Sequence, residues 1–146
     1  MSAPFGPQLI GETEKTLNAL LRRFLEGTGL NESQWVTLRL ADRLDGSVDA
    51  TGLVAAVADR AHLSNPAELV GELTRRGLLD DGRPTSAGRE ITRAIQTTIT
   101  TTTAPIWAGL PDDDVAAATR VLNEVVTRAR AVLTTGLLTP VSAKNV

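Results

Sequence analysis

The chain has 146 residues, a net charge of −2, a pI near 5.4 and only 3% aromatic residues. This length favours a single domain, and its core must consist mainly of aliphatic side chains. The absence of cysteine excludes disulfides and thiol catalysis, and a single histidine, His62, excludes a multi-histidine metal site.

The first third of the chain predicts three helices. Leucines at helical spacing predict the first over about residues 7–26, and glycines end it. Asn31 and Gln34 form a capping box that begins the second. Asp49 is a good N-cap for the third, on which Leu53, Val57 and Ala61 share the inward face.

A fourth, short helix follows at "SNPAEL". Pro66 suits its first turn, Asn65 is a suitable N-cap, and Glu68 can reach back to the cap. Leu69 and Leu73 are its predicted buried residues, and Gly77 ends it.

The sequence "LLDDGRPT" predicts a very tight β-hairpin. Asp81-Gly82 is a favoured two-residue turn between residues 78–80 and 83–85. Pro84 cannot donate a ladder hydrogen bond, so its strand is expected to lie at an edge.

Two long helices complete the predicted fold. Thr85 is the expected N-cap of the fifth helix, which carries Ile91, Ile95 and Ile99 on one face. The threonine-rich run over residues 97–103 is poor in helix propensity, so we expect a bend before Pro105. After Gly109, three aspartates suit the positive end of the last helix, and apolar residues recur every three or four positions up to residue 133. The tail over residues 134–146 is predicted to be loose.

The sequence predicts a soluble cytoplasmic protein. Its first residues have neither a basic segment nor an apolar one, as a signal peptide would. No apolar run approaches the roughly 20 residues of a membrane span.

Four stretches resemble the MarR family of winged helix-turn-helix regulators. "GLNESQWVTLRLADRL" is similar to the family's second helix, and "LVAAVADRAHLSNPAELVGELTRRGLL" to its helix-turn-helix. "PTSAGREI" resembles the segment after the wing, and "GLPDDDVAAATRVLNEVVTRARAVL" the C-terminal dimerisation helix. The resemblance covers about residues 8–133, and the order and spacing of the stretches carry it.

This resemblance implies a mainly α fold over residues 1–146. It would be a winged helix-turn-helix with a very short β-hairpin wing and long terminal dimerisation helices. The helix-turn-helix and wing would cover about residues 49–85, and the dimerisation helices about 7–26 and 86–133. The implied function is a ligand-responsive transcriptional regulator that binds duplex DNA as a homodimer, with a small organic ligand in a crevice near the dimer junction.

The chain departs from the family pattern on the presumed DNA face. The wing is reduced to one turn, and the recognition segment is about two residues shorter than usual. Residues 49–90 contain seven acidic residues against five arginines. The alternative function is therefore a MarR-like dimer that has lost DNA binding and uses its crevice for small-molecule binding or catalysis. A purely structural interaction protein is a third reading.

The candidate DNA-binding residues lie on the fourth helix and the hairpin. Asn is suited to reading adenine and Glu to accepting a hydrogen bond from cytosine, whereas helix capping by Asn65 and Glu68 is the simpler interpretation. The arginines are suited to phosphates but are equally consistent with solvated surface charges. The set is Ser64, Asn65, Ala67, Glu68, Arg75, Arg76 and Arg83.

The candidate ligand-binding residues are Trp35, Arg39, Thr98, Thr102 and Trp107. Trp35 is also expected in the core, Trp107 either lines a crevice or closes a dimer core, and the threonine hydroxyls often bond back to their own helix. We predict no catalytic residue, no cofactor and no metal site. In particular, His62 with Asp59 and Ser64 is read as a surface cluster, because proximity in sequence does not give triad geometry.

Overall fold

The computed structural model describes residues 2–135, and this part of the chain is mainly helical with one small antiparallel hairpin. The chain divides into two compact units, residues 1–103 and 104–146. In chain order the elements are α1 (Pro7–Leu25), α2 (Glu32–Leu44), α3 (Ala50–Ala56), a π-helical turn (Val57–Ala61), α4 (Pro66–Arg75), β1 (Leu79–Asp80), β2 (Arg83–Pro84), α5 (Ser86–Trp107) and α6 (Asp112–Thr134).

Side-chain caps set the start of α2 and α3 as predicted. The Asn31 side chain accepts from the Gln34 backbone N–H, and the Gln34 side chain accepts from the Asn31 N–H, which completes the capping box. The Asp49 carboxylate accepts from the N–H of Gly52 at 2.8 Å and so caps α3.

The end of α3 differs from the prediction. Its last turn widens into the π-helical turn, and His62 ends it in the left-handed conformation with φ 53°. Val57 remains fully buried, but Ala61 is only partly buried. A single π-helical turn changes the phase of the residues after it, so α-helical periodicity could not place Ala61 correctly.

The core of residues 2–103 is mainly aliphatic, with Trp35 as its aromatic member, and α2, α3, α4 and the hairpin contribute most of it, together with Leu25 of α1 and Ile95 of α5. Leu38, Leu53 and Leu73 are fully buried, one from each helix. On α4 the second buried residue is Val70, and Leu69, which is expected to be buried, is partly buried and packs against the core. On α5, Ile95 is buried, and Ile91 and Ile99 pack against the core as their spacing predicts.

The hairpin is as short as predicted, with Leu79 paired to Pro84 and Asp80 to Arg83. Asp81 and Gly82 both have positive φ, 48° and 81°, which a two-residue type I′ turn requires. The next helix begins at the expected cap, because Thr85 Oγ1 accepts from the N–H of Gly88.

The threonine run does not interrupt α5, which is continuous from Ser86 to Trp107 and contains Pro105. Proline removes one helical hydrogen-bond donor, but the Thr98 and Thr103 hydroxyls donate to carbonyls one turn earlier. These bonds add local contacts within the helix where its propensity is low.

In the second unit, α6 begins after Pro111 with three aspartates in its first turn, as predicted. No residue of α6 is buried. The prediction of a loose tail concerns residues 134–146, of which 136–146 lie outside the described part of the chain; α6 itself extends to Thr134.

Within residues 2–135, no helix has both the length and the apolar character needed to cross a membrane.

Candidate nucleic-acid interface

Helix α4 is held on one side and exposed on the other. Its buried residues, Val70 and Leu73, face the core that α2 and α3 share. Its opposite side presents Ala67, Glu68 and Arg75 to solvent. A short amphipathic helix fixed in this way can offer polar side chains to a partner without disturbing the core.

The first turn of α4 has no side-chain cap, so the capping interpretation of Asn65 and Glu68 was wrong. Asn65 is in the left-handed conformation, with φ 59° and ψ 46°, and its side chain makes no cap hydrogen bond. A capping residue normally has extended backbone, which places its side chain over the amides of the first turn. Here only the Asn65 backbone carbonyl is engaged, by the N–H of Leu69 at 3.1 Å.

The exposed first turn therefore has side chains that its own helix does not use. Ser64, Asn65, Ala67 and Glu68 are all exposed. In the described part of the chain, the side chains of Asn65 and Glu68 make neither a hydrogen bond nor an ion pair. The Asn65 amide is therefore available to donate and accept hydrogen bonds, and the Glu68 carboxylate is available to accept them.

The three candidate arginines, by contrast, have contacts within the chain. Arg75 pairs with Glu72 at 2.8 Å on the surface of α4. Arg76 Nη1 donates to the carbonyl oxygen of Gly29 at 2.9 Å and so ties the end of α4 to the α1–α2 loop. The Arg83 guanidinium lies against the backbone of Gly46, where a Cβ atom would overlap it.

These contacts differ in how firmly they hold the arginines. The Arg75–Glu72 pair is well exposed, with 71% and 44% of the two side chains accessible, so it contributes little to stability and can open. Arg76 and Arg83 instead lie against backbone of other segments. Arg83 is exposed and makes no hydrogen bond or ion pair in the described part of the chain, so Arg75 and Arg83 are both available for a phosphate.

The hairpin tip is anchored to the start of α3. Asp81 Oδ1 accepts from the backbone N–H of Ala50 at 3.2 Å. Gly82 lies so close to Asp49 that a Cβ atom on it would be 2.7 Å from the Asp49 carbonyl oxygen. The first-turn amides of a helix carry partial positive charge. One of the two hairpin carboxylates therefore stabilises the junction with α3, and we name the Asp81–Ala50 contact the hairpin anchor.

A polar cleft of about 370 Å³ lies between the hairpin and the loop from α2 to α3. Asp49, Asp80, Asp81 and Arg83 are among its lining residues. Asp49 and Asp81 are engaged by backbone amides, and Asp80 is exposed. Within residues 2–135, no group of three or more His, Asp or Glu side chains is placed to hold a metal ion.

Four of the five candidate ligand-binding residues form two pairs, each one turn apart on its own helix. The Arg39 guanidinium carbon lies 5.7 Å from the centre of the Trp35 ring, a cation–π distance. Trp35 is buried, as its alternative role in the core predicts. Thr98 and Thr102 lie one turn apart on α5, and Thr98 bonds to the carbonyl of Ala94. Trp107 belongs to the second unit and is 55% exposed.

Sequence reasoning missed three features of this region: the hairpin anchor, the Arg76–Gly29 contact and the left-handed Asn65. The first two join residues 31 and 47 positions apart, and no local pattern marks such pairs. The left-handed conformation of Asn65 could have been considered from the sequence, because asparagine tolerates this conformation better than most residues.

Comparison with protein-family models, with curated protein sequences and with solved structures finds no match to this chain.

Proposed function

We propose that the protein is a MarR-like transcriptional regulator, a winged helix-turn-helix homodimer that binds duplex DNA and responds to a small organic ligand. The observation that carries the proposal is the exposed first turn of α4, with side chains at Asn65 and Glu68 that have no partner in the described part of the chain. A helix fixed by its buried face and presenting free polar groups at its first turn suits major-groove reading.

The surrounding elements are consistent with this role. The hairpin follows α4 directly and is fixed to α3 by its anchor, so the hairpin and α3 form a defined support for α4. The exposed apolar residues of α6 suit a helical dimer interface. In such a dimer, two α4 helices about 34 Å apart would enter successive major grooves.

The direct experiment measures binding to duplexes from beside the protein's own gene. We expect a dissociation constant in the nanomolar range and a preference of about 10³-fold or more over random duplex. Arg75→Ala should weaken binding to all duplexes to a similar degree, because phosphate contacts carry no sequence information. Arg128→Ala is the matched control, since Arg128 forms a similar exposed pair with Glu124 on α6.

A second function is favoured by the contacts of the arginines. Residues 49–90 carry seven acidic residues against five arginines, and Arg76 is bonded to the backbone of Gly29, so this face has no excess of cations for phosphates. This arrangement suits a dimer that no longer binds DNA and instead binds, or acts on, a small molecule. Trp107 is the candidate reporter for that ligand.

The two functions give different results in one pair of measurements. A DNA-binding regulator binds duplex DNA at low salt, about 50 mM, and its affinity falls steeply as the salt concentration rises. A ligand-binding dimer without DNA binding retains no duplex under these conditions, but its tryptophan fluorescence changes with an apolar ligand. Loss of that signal in Trp107→Phe would support the placement of the ligand, whereas loss only in Trp35→Phe would assign it to the buried tryptophan on α2.

A further inference from the structure

We infer that α6 pairs antiparallel with α6 of a second copy of this chain, in the register that is centred on Val121. This register places Asp112 beside Arg130 of the second copy, and Asp114 beside Arg128 of the second copy. The inference rests on the homodimer of the proposed function and adds to it the direction and the register of one helix pair.

The surface that forms this pair is an apolar stripe along α6. Val115, Leu122 and Val126 follow one another at intervals of seven and four residues, which an α-helix places on one side. Val125 and Val132 extend the stripe, and each of these five side chains is at least 40% exposed. A contiguous apolar surface of this kind usually marks an interface, and a second α6 matches it in length.

The charged residues beside the stripe are separated by sign along the helix. Asp112 and Asp114 lie in the first turn, and Arg128 and Arg130 lie near the other end. Asp112 and Arg130 are 18 residues apart, about five turns, so they flank the stripe on the same side. Asp114 and Arg128 are 14 residues apart, about four turns, and flank the stripe on its other side.

This distribution of charge favours one direction of pairing. In a parallel pair the same residues lie at the same level, so carboxylate faces carboxylate and arginine faces arginine. In an antiparallel pair with two-fold symmetry, each contact between two residues is repeated with the copies exchanged. Val121 is the midpoint between Asp112 and Arg130 and also between Asp114 and Arg128. One antiparallel register therefore sets every one of these carboxylates beside an arginine, and such complementarity fixes the register of an interface.

These charges are available for a second copy. In the described part of the chain, Asp112, Asp114 and Arg130 make no ion pair. Arg128 pairs with Glu124 at 3.0 Å, but 78% of the arginine side chain is accessible, so this pair contributes little and can open. Asp112 and Arg130 therefore give the cleaner test.

The test measures the dissociation constant of the dimer by sedimentation equilibrium at low salt, about 50 mM, where charges are least screened. Asp112→Lys and Arg130→Glu each set like charges against one another at two places in the antiparallel dimer. We expect each single variant to dimerise about tenfold more weakly or worse. The double variant exchanges the two signs and should recover most of the wild-type affinity. Arg120→Glu is the matched control, because Arg120 is two positions from Leu122 and so lies away from the stripe.

Cysteine cross-linking reads the direction of the pair, since the chain has no cysteine of its own. Val121→Cys should form a disulfide-linked dimer on oxidation, because the two copies of position 121 lie at the same level in this register. Leu133→Cys should not, because its two copies lie near opposite ends of the pair. A parallel pair would instead cross-link through position 133.

A dimer that cross-links through position 133, or whose affinity is unchanged by both single charge variants, would overturn the inference and leave the homodimer in place. A monomeric wild type would contradict the inference and the homodimer together. An intact antiparallel dimer that binds no duplex DNA would contradict the regulator function alone.

Discussion

Gly88 has no room for a side chain, because a Cβ atom built there would overlap the carbonyl oxygen of Leu78. The glycine lets the first turn of α5 approach the residue that leads into β1. Backbone cannot move aside as a flexible side chain can, so the position tolerates no larger residue without a shift of the helix.

Gly88→Ala should therefore destabilise the protein, by about 1–3 kcal/mol as for other overpacked sites. Gly71→Ala is the control, since outside the backbone of its own helix the added Cβ atom would meet only the flexible end of Arg75, at 3.5 Å. That substitution should stabilise α4 by about 0.5–1 kcal/mol through helix propensity. Urea unfolding at one fixed protein concentration measures both changes, and equal stability of the two variants would contradict the close approach at Gly88.

Asp81 is the residue on which the hairpin anchor depends. Asp81→Asn keeps an acceptor oxygen and tolerates positive φ, so it should cost only a few tenths of a kcal/mol, from the lost interaction with the α3 dipole. Asp81→Gly keeps the backbone conformation but removes the acceptor for Ala50, and should cost about 1 kcal/mol more. Denaturant unfolding of the two variants separates the hydrogen bond from the charge; if they unfold at the same midpoint, the anchor does not contribute to stability.

At the scale of elements, α2 and α4 begin in different ways although an asparagine precedes each. Asn31 has extended backbone and a complete capping box, whereas Asn65 has positive φ and no side-chain cap bond. The same residue type therefore has a structural role before α2 and leaves its side chain free before α4.

This difference predicts opposite sensitivities at the two positions. Asn31→Ala should cost about 1 kcal/mol, the typical value for a lost N-cap. Asn65→Gly should leave stability nearly unchanged, because glycine adopts positive φ without strain and no cap bond is lost. Thermal unfolding checks both variants. A loss at position 65 as large as that at position 31 would show that Asn65 caps α4 after all.

At the scale of the whole molecule, the exposed apolar residues of α6 suit the homodimer that we propose. Val115, Val121, Leu122, Val125, Val126, Val132 and Leu133 are each at least 40% exposed. Large exposed apolar patches usually mark interfaces, and the proposed regulator would use this helix for dimerisation.

Leu122→Glu should dissociate or unfold the dimer, because a charge buried in an apolar interface without a partner is costly. Asn123→Glu adds the same charge at a neighbouring polar position on α6 and should leave the assembly intact. Light scattering should give twice 15.4 kDa for wild type and for the control. A wild-type mass of 15.4 kDa would contradict the homodimer, and circular dichroism of Leu122→Glu distinguishes dissociation from unfolding.

Local sequence patterns predicted most of the elements because their causes lie within a few residues. The capping box of Asn31 and Gln34, the Asp81-Gly82 turn and the caps at Asp49 and Thr85 are all interactions between near neighbours. The buried face of α5 followed from helical spacing for the same reason. The exposed first turn of α4 was also recognised as a candidate site from its residue types.

Only the tertiary structure decided how those elements are joined and which charges remain free. The hairpin anchor and the Arg76–Gly29 contact depend on segments that are distant in sequence, and they join Asp81 and Arg76 to the backbone of those segments. The π-helical turn and the left-handed Asn65 lie in the segment from the end of α3 to the start of α4, where helical periodicity does not predict the backbone conformation. Residue types thus determined the helices and the tight turn, because those depend on near neighbours, whereas packing between distant segments decided which backbone groups Asp81 and Arg76 contact.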